Sequence, residues 1–190
     1  MIDQNTSYVV CKRDLKSFYG PISNILTLTH EDFDKIDGYL NDEDQNLLLQ
    51  ISHKFKNKMR NYLKSRGFGV DSVVFQNYCL IQLQRKQHEV GLIFFLDHER
   101  KLIADEVVAI GTYNQLILTN EGILKRALKH KSSQIIVVHN HPRGSVTPSK
   151  KDICFTNGLK KSCEALDINF LASLIVGGEY LIGIQFSKDK

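Results

Sequence analysis

Apolar residues recur at helical spacing in the first third of the chain. Every fourth position from 47 to 63 is apolar, behind an acidic run at 42–44: Leu47, Ile51, Phe55, Met59 and Leu63. This recurrence places the side chains on one face of a helix, and acidic residues suit the positive end of the helix dipole. The pattern predicts a small helical region at 1–66.

Beyond residue 66 the pattern changes to short apolar runs. These runs predict strands at 78–83, 90–96, 102–103, 107–108, 134–138 and 173–176. Two stretches with helical spacing lie between them, at about 120–131 and 149–166. Strands with helices packed on them define an α/β (α+β) domain, which we place at 67–190. Runs without polar alternation indicate strands that are covered on both faces.

Composition narrows the class of protein without defining its function. The 190 residues are 42% hydrophobic and 24% charged, which is typical of a soluble globular protein. No apolar run approaches the roughly 18 residues of a membrane span. The four cysteines are scattered and the first residues lack a secretory pattern, so we expect a reduced, cytoplasmic protein.

The charge pattern is compatible with nucleic acid but does not argue for it. The net charge is only +4. The predicted helix ending near residue 66 carries a basic set, which a solvated helix face explains better than a phosphate-binding stripe does. Its members are Lys54, Lys56, Lys58, Arg60, Lys64 and Arg66.

The segment after the predicted strand at 134–138 carries the candidate chemistry. Residues i and i+2 of a strand share a face, so His139 and His141 aim both imidazoles at one point while Asn140 faces away. Asp152, in the first turn of the next predicted helix, returns a carboxylate to the same point. Two histidines and one carboxylate leave one position open, as in catalytic zinc sites. The alternative interpretation is a helix-capping pair of Ser149 and Asp152, and Ser149 can begin the helix while its hydroxyl faces the site.

This spacing resembles a known metal motif. His139-x-His141-Pro142, followed by Ser149-x-x-Asp152, resembles the JAMM (MPN+) metalloprotease motif. The string HNHPRGSVTPSKKD resembles the RadC family, a bacterial JAMM group linked to DNA repair, and the likeness extends over about residues 70–187. The resemblance implies a mixed sheet flanked by helices, similar to cytidine deaminase, and a Zn²⁺ ion held by His139, His141 and Asp152.

The same resemblance implies two catalytic residues. The family motif includes a glutamate on an earlier strand that activates water, and the resembling position is Glu106, with Asp105 and Glu121 as weaker substitutes. Ser149 would donate a hydrogen bond to the developing oxyanion. The implied reaction is hydrolysis of an amide, peptide or isopeptide bond, with a peptide or protein as substrate.

The N-terminal region departs from the family pattern. It resembles a shortened helix-hairpin-helix module in which Leu40 replaces the second hairpin glycine, and acidic residues surround the hairpin. Carboxylates repel phosphates, so we expect this region to pack or mediate contacts. Two other functions stay open: a DNA repair or recombination accessory protein that binds nucleic acid with the zinc domain as a scaffold, and a metal-dependent nuclease.

Overall fold

The computed structural model describes residues 41–109 and 119–184, which form a mixed sheet with helices on both faces. The helices are α1 (Asp42–Ser65), α2 (Val73–Leu83), α3 (Asn120–Lys129) and α4 (Lys150–Glu164). The strands are β1 (Val90–Leu96), β2 (Leu102–Ala109), β3 (Gln134–His141), β4 (Asn169–Gly177) and β5 (Tyr180–Gly183).

The sheet has the strand order β2-β1-β3-β4-β5. Strands β3 and β4 are parallel, because α4 returns the chain to the same end of the sheet, and the other neighbours are antiparallel. The predicted α+β class with a mixed sheet flanked by helices is therefore confirmed, as is a helical region before the sheet.

Strand β3 lies at the centre and separates two hydrophobic cores. Ile136 and Val138 pack on the side of α1 and α2. Ile135 and Val137 point to the opposite side, where α3 and α4 pack. Both sets are buried, which explains why this strand shows no polar alternation.

Helix α1 forms as the four-residue pattern predicts. Asn41 caps it by accepting a hydrogen bond from the backbone N–H of Asp44 at 2.8 Å. Met59 and Leu63 are buried in the core that α2 and the sheet share. The division of the chain at residue 66 stays a prediction, and the hairpin-like segment before residue 41 lies outside the described residues.

The strand predicted at 78–83 is wrong, because this run lies in helix α2. The helix is enclosed between α1 and the sheet, and eight of its eleven residues are buried. A helix without an exposed polar face has no 3.6-residue pattern, and its short apolar run is indistinguishable from that of a buried strand. The runs at 102–103 and 107–108 belong to a single strand, β2.

None of the helices in the described ranges is both long enough and apolar enough to cross a bilayer.

Candidate metal centre

Two imidazoles converge at the end of β3. His139 is 5% exposed, because β3 lies between β1 and β4. The Nε2 atoms of His139 and His141 are 3.1 Å apart. The predicted convergence of the two histidines on one face is thus observed.

Asp152 joins the histidines from the first turn of α4. Its backbone N–H donates to Ser149 Oγ at 3.2 Å, and the Ser149 N–H donates to Asp152 Oδ2 at 2.7 Å. This capping box holds the carboxylate beside the imidazoles. Asp152 Oδ1 lies 3.4 Å from His139 Nε2, and Oδ2 lies 3.5 Å from His141 Nε2.

Glu89 completes the cluster from the residue before β1. Strand β1 pairs with β3 so that Gly91 faces His139, and continuing this antiparallel register places Glu89 opposite His141. Glu89 Oε1 lies 4.0 Å from His139 Nε2. One ligand atom from each of Glu89, His139, His141 and Asp152 lies within 4.8 Å of the others.

The spacing fits one small metal ion. Ligand atoms at about 2.0–2.2 Å from a tetrahedral zinc lie about 3.3–3.6 Å from one another. The two Nε2 atoms are 3.1 Å apart, and the Asp152 carboxylate lies 3.4 Å from His139 Nε2 through Oδ1 and 3.5 Å from His141 Nε2 through Oδ2. The distance from Glu89 Oε1 to His139 Nε2 is 4.0 Å, longer than these separations. Glu89 therefore fits a position beside the ion better than the position of a fourth ligand.

The loop after β3 orients His141. Its Nδ1 is 2.9 Å from the carbonyl oxygen of Ser145, which accepts the ring N–H. A proton on Nδ1 leaves the lone pair of Nε2 facing the cluster, which is the state that binds metal. Gly177 permits this loop position, because a Cβ there would come within 2.6 Å of Ser145 O and 2.8 Å of Gly144 O.

Burial and neighbouring groups shift the pKa values of the cluster, and a neutral His139 with an ionised Asp152 suits a cation. Burial lowers the pKa of His139 to about 4, with Asp152 opposing and His141 adding to the shift, so its ring is neutral at pH 7. Burial raises the pKa of Asp152, but hydrogen bonds from Ser149 outweigh this and lower it overall. Burial, helped by Asp152, raises the pKa of Glu89 despite His141 and Lys151.

Ser149 is placed as the capping interpretation predicts. Its Oγ accepts the N–H of Asp152 as the N-cap of α4. A hydroxyl that accepts in this way still has its own proton to donate. The capping role is therefore observed, and the predicted donation to an oxyanion stays a prediction.

The structure does not bring Glu106 to the metal cluster. Glu106 pairs across β1 with Ile93, and Ile93 pairs with Val137. Two interstrand spacings, about 9–10 Å in total, therefore separate Glu106 from β3. The residue of β3 level with Glu106 is Val137, two residues before His139. Its carboxylate instead binds Arg126 and the Nε2 of His130 at 2.6 Å.

The two weaker substitutes for Glu106 also have other partners. Asp105 accepts hydrogen bonds from Arg60 and from the Tyr78 hydroxyl. Glu121 pairs with Lys125 on the exposed surface of α3. Glu89 is a site residue that the sequence analysis did not identify. Its one signal is its position directly before the predicted strand at 90–96, which the structure places next to β3.

A match to a protein-family model supports the family resemblance seen in the sequence. The model described as "RadC-like JAB domain" matches residues 71–186. A mixed sheet and a cluster of two histidines and two carboxylates that could hold a metal ion are consistent with a domain of this type. The chain belongs to the RadC-like JAB domain family.

Proteins from several bacteria are similar in sequence to this chain. A UPF0758 protein of Pseudoalteromonas translucida is 38% identical over 103 residues, 54% of this chain and 46% of that protein. One from Pseudomonas savastanoi pv. phaseolicola is 37% identical over 58% of this chain and 50% of its own length. A third, from Albidiferax ferrireducens, is 31% identical over 86% of this chain and 70% of its own length. The chain spans about half the length of the first two relatives.

Proposed function

We propose that this protein is a zinc metallohydrolase that cleaves an amide, peptide or isopeptide bond. The observation that carries the proposal is the triangle formed by two Nε2 atoms and one carboxylate, with a second carboxylate beside it. The Nε2 atoms are 3.1 Å apart, and each lies 3.4–3.5 Å from an oxygen of Asp152, Oδ1 for His139 and Oδ2 for His141, which suits groups that surround one ion. Family membership supports the same class of site.

His139, His141 and Asp152 are the residues that would hold the ion. Imidazole nitrogens favour zinc over magnesium or calcium, which take oxygen ligands. When bound, zinc supplies a Lewis acid that activates water and polarises a carbonyl group. Three protein ligands would leave a coordination position open, as in catalytic rather than structural zinc sites.

Glu89 takes the role of general base in place of Glu106. Its carboxylate lies beside the triangle and is not needed to complete it. Burial raises the pKa of Glu89, but it is the position of the carboxylate, 4.0 Å from His139 Nε2, that carries the assignment. Glu89 accepts a proton from the attacking water and passes it to the leaving nitrogen.

Ser149 supplies a donor for the charge that develops on the carbonyl oxygen. Its backbone position is fixed because it begins α4, and its hydroxyl proton is free to point at the substrate. Fixed donors of this kind stabilise an oxyanion more than solvent does, because they need no reorganisation.

The proposal is tested by a screen of fluorogenic peptides, isopeptide-linked peptides and oligonucleotides. We expect hydrolysis of an amide substrate that disappears after dialysis with a chelator and returns with zinc. Cleavage confined to oligonucleotides would instead support the nuclease alternative. Activity that survives removal of the metal would contradict the proposal.

A further inference from the structure

The residue between the two histidines makes contacts on the opposite face of the sheet. Asn140 is 2% exposed. Its Oδ1 accepts from the backbone N–H of Val90 at 2.7 Å. Its Nδ2 donates to the carbonyl oxygens of His88 at 3.1 Å and Lys86 at 3.2 Å.

These contacts bracket Glu89. The His88 carbonyl precedes this residue in the chain and the Val90 N–H follows it. Backbone pairing between β1 and β3 begins at Gly91 and His139. The Asn140 side chain therefore extends the attachment to β3 past the point where the strand ladder ends.

The segment that carries Glu89 has no helix or strand of its own. Residues 84–89 form the connection between α2 and β1. Such a connection is held by whatever its backbone groups bind. Asn140 supplies two of these bonds, to the carbonyls of Lys86 and His88, and a third to Val90 at the start of β1, from a strand that also carries both histidines.

We propose that Asn140 is a positioning residue that holds the Glu89 carboxylate beside the metal ligands. This inference rests on the proposed function, in which Glu89 is the general base. A displacement of about 1 Å at a reacting group is enough to reduce a rate by about a hundredfold. One strand thus aims two imidazoles from one face and fixes the base from the other.

The chain offers a matched control at the other end of β3. The Gln134 side chain is also buried, and its Nε2 donates to the carbonyls of Asp97 at 2.9 Å and His98 at 3.1 Å. Gln134→Ala removes a comparable buried amide from the same strand. It does so seven residues away from His141, where no metal ligand is held.

The first measurement is amide hydrogen exchange at Val90 in the full chain, followed by NMR. Asn140→Ala removes the acceptor of this N–H, so we expect its exchange to accelerate at least about tenfold. Gln134→Ala should leave it within about twofold of wild type. The measurement needs no zinc and no substrate, so it tests the contacts of Asn140 with the segment that carries Glu89 independently of activity. A wild-type protein that hydrolyses nothing would contradict only the proposed function.

The second measurement is a double-mutant cycle on hydrolysis with Asn140→Ala and Glu89→Gln. We expect Asn140→Ala alone to lower kcat by about tenfold to a hundredfold, and to cause no further loss when Glu89 is already glutamine. Zinc affinity, measured by competition with a chromophoric chelator, should stay within about threefold, because the three ligands remain.

A second variant covers the case in which the alanine protein does not fold. Asn140→Asp keeps the size and the acceptor for Val90 but loses both donated bonds. We expect the same Glu89-dependent loss of kcat. Unchanged Val90 exchange in Asn140→Ala, or an equal loss of kcat with and without Glu89, would overturn the proposal.

Discussion

The ring of His141 is tied to its own loop by a 2.9 Å contact between Nδ1 and the carbonyl oxygen of Ser145. The loop rests on Gly177 at the end of β4, where a Cβ would meet the backbone oxygens of Gly144 and Ser145 below 3 Å. Backbone atoms cannot move aside as a flexible side chain does. The orientation of one candidate ligand therefore depends on a glycine in a different strand.

Gly177→Ala is predicted to weaken zinc binding without touching a ligand. The new Cβ displaces the Ser145 carbonyl, and loss of such a hydrogen bond to a metal-binding histidine costs about tenfold to a hundredfold in affinity. Chelator competition measures the change.

Gly178→Ala is the control for that variant. Gly178 has φ +59° and no atom within 4 Å of its built Cβ, so the substitution strains the backbone by about 1–2 kcal/mol but leaves the loop in place. Equal losses of zinc affinity in both variants would contradict the role of Gly177.

Glu106→Gln is predicted to reduce stability and to retain hydrolysis. The carboxylate binds Arg126 and His130 and lies away from the metal cluster. We expect a loss of about 1 kcal/mol in the free energy of unfolding at pH 7, since the pair is partly exposed. Urea unfolding and the substrate assay check the two parts, and loss of hydrolysis with full stability would reinstate Glu106 as the base.

The same variant has a predicted pH dependence. Burial raises the pKa of Glu106, but the bonds from His130 and Arg126 outweigh it and lower the pKa overall. A lowered pKa in the folded state gives stability above the ordinary glutamate value that is lost as the pH falls. The difference between wild type and Glu106→Gln should therefore shrink below about pH 4. A difference in the free energy of unfolding that grows as the pH falls would contradict a lowered pKa of Glu106.

Tyr78→Phe is predicted to destabilise the packing of α2 against β2. The Tyr78 hydroxyl donates to Asp105 at 2.6 Å, and this carboxylate also binds Arg60 of α1. Removing a hydrogen bond to a buried charged group costs about 2 kcal/mol. Tyr62→Phe, on the exposed side of α1, should change the free energy of unfolding by less than about 0.5 kcal/mol.

The Arg60 contact also bears on the set of basic residues along α1, for which the sequence favours a solvated face over phosphate binding. One of its cations is held by Asp105 within the fold, which favours a structural explanation for that residue over phosphate binding.

Local patterns predicted three parts of the candidate site because each depends on neighbours in sequence. The two-residue period of a strand brings His139 and His141 together, and a capping pair at the start of α4 returns Asp152. The same period turns Asn140 to the other face, as its contacts with 86–90 confirm.

The parts that sequence reasoning missed depend on contacts between distant elements. Glu89 reaches the cluster only because β1 pairs with β3, a relationship that no local pattern reveals. Placing Glu106 at the site likewise required β2 to neighbour β3, whereas β1 lies between them. The sequence of helix α2 predicts a strand because enclosure on all sides removes the polar face that marks a helix.

In the proposed zinc centre, His139, His141 and Asp152 are the ligands and Glu89 lies beside them without binding the ion. The most direct measurement is the zinc content and affinity of protein purified without chelator, compared with His139→Ala and Glu89→Gln. We expect one equivalent of zinc in wild type and in Glu89→Gln, and no tight binding in His139→Ala. Wild-type protein that binds no zinc, or equal binding by His139→Ala, would contradict the proposed centre.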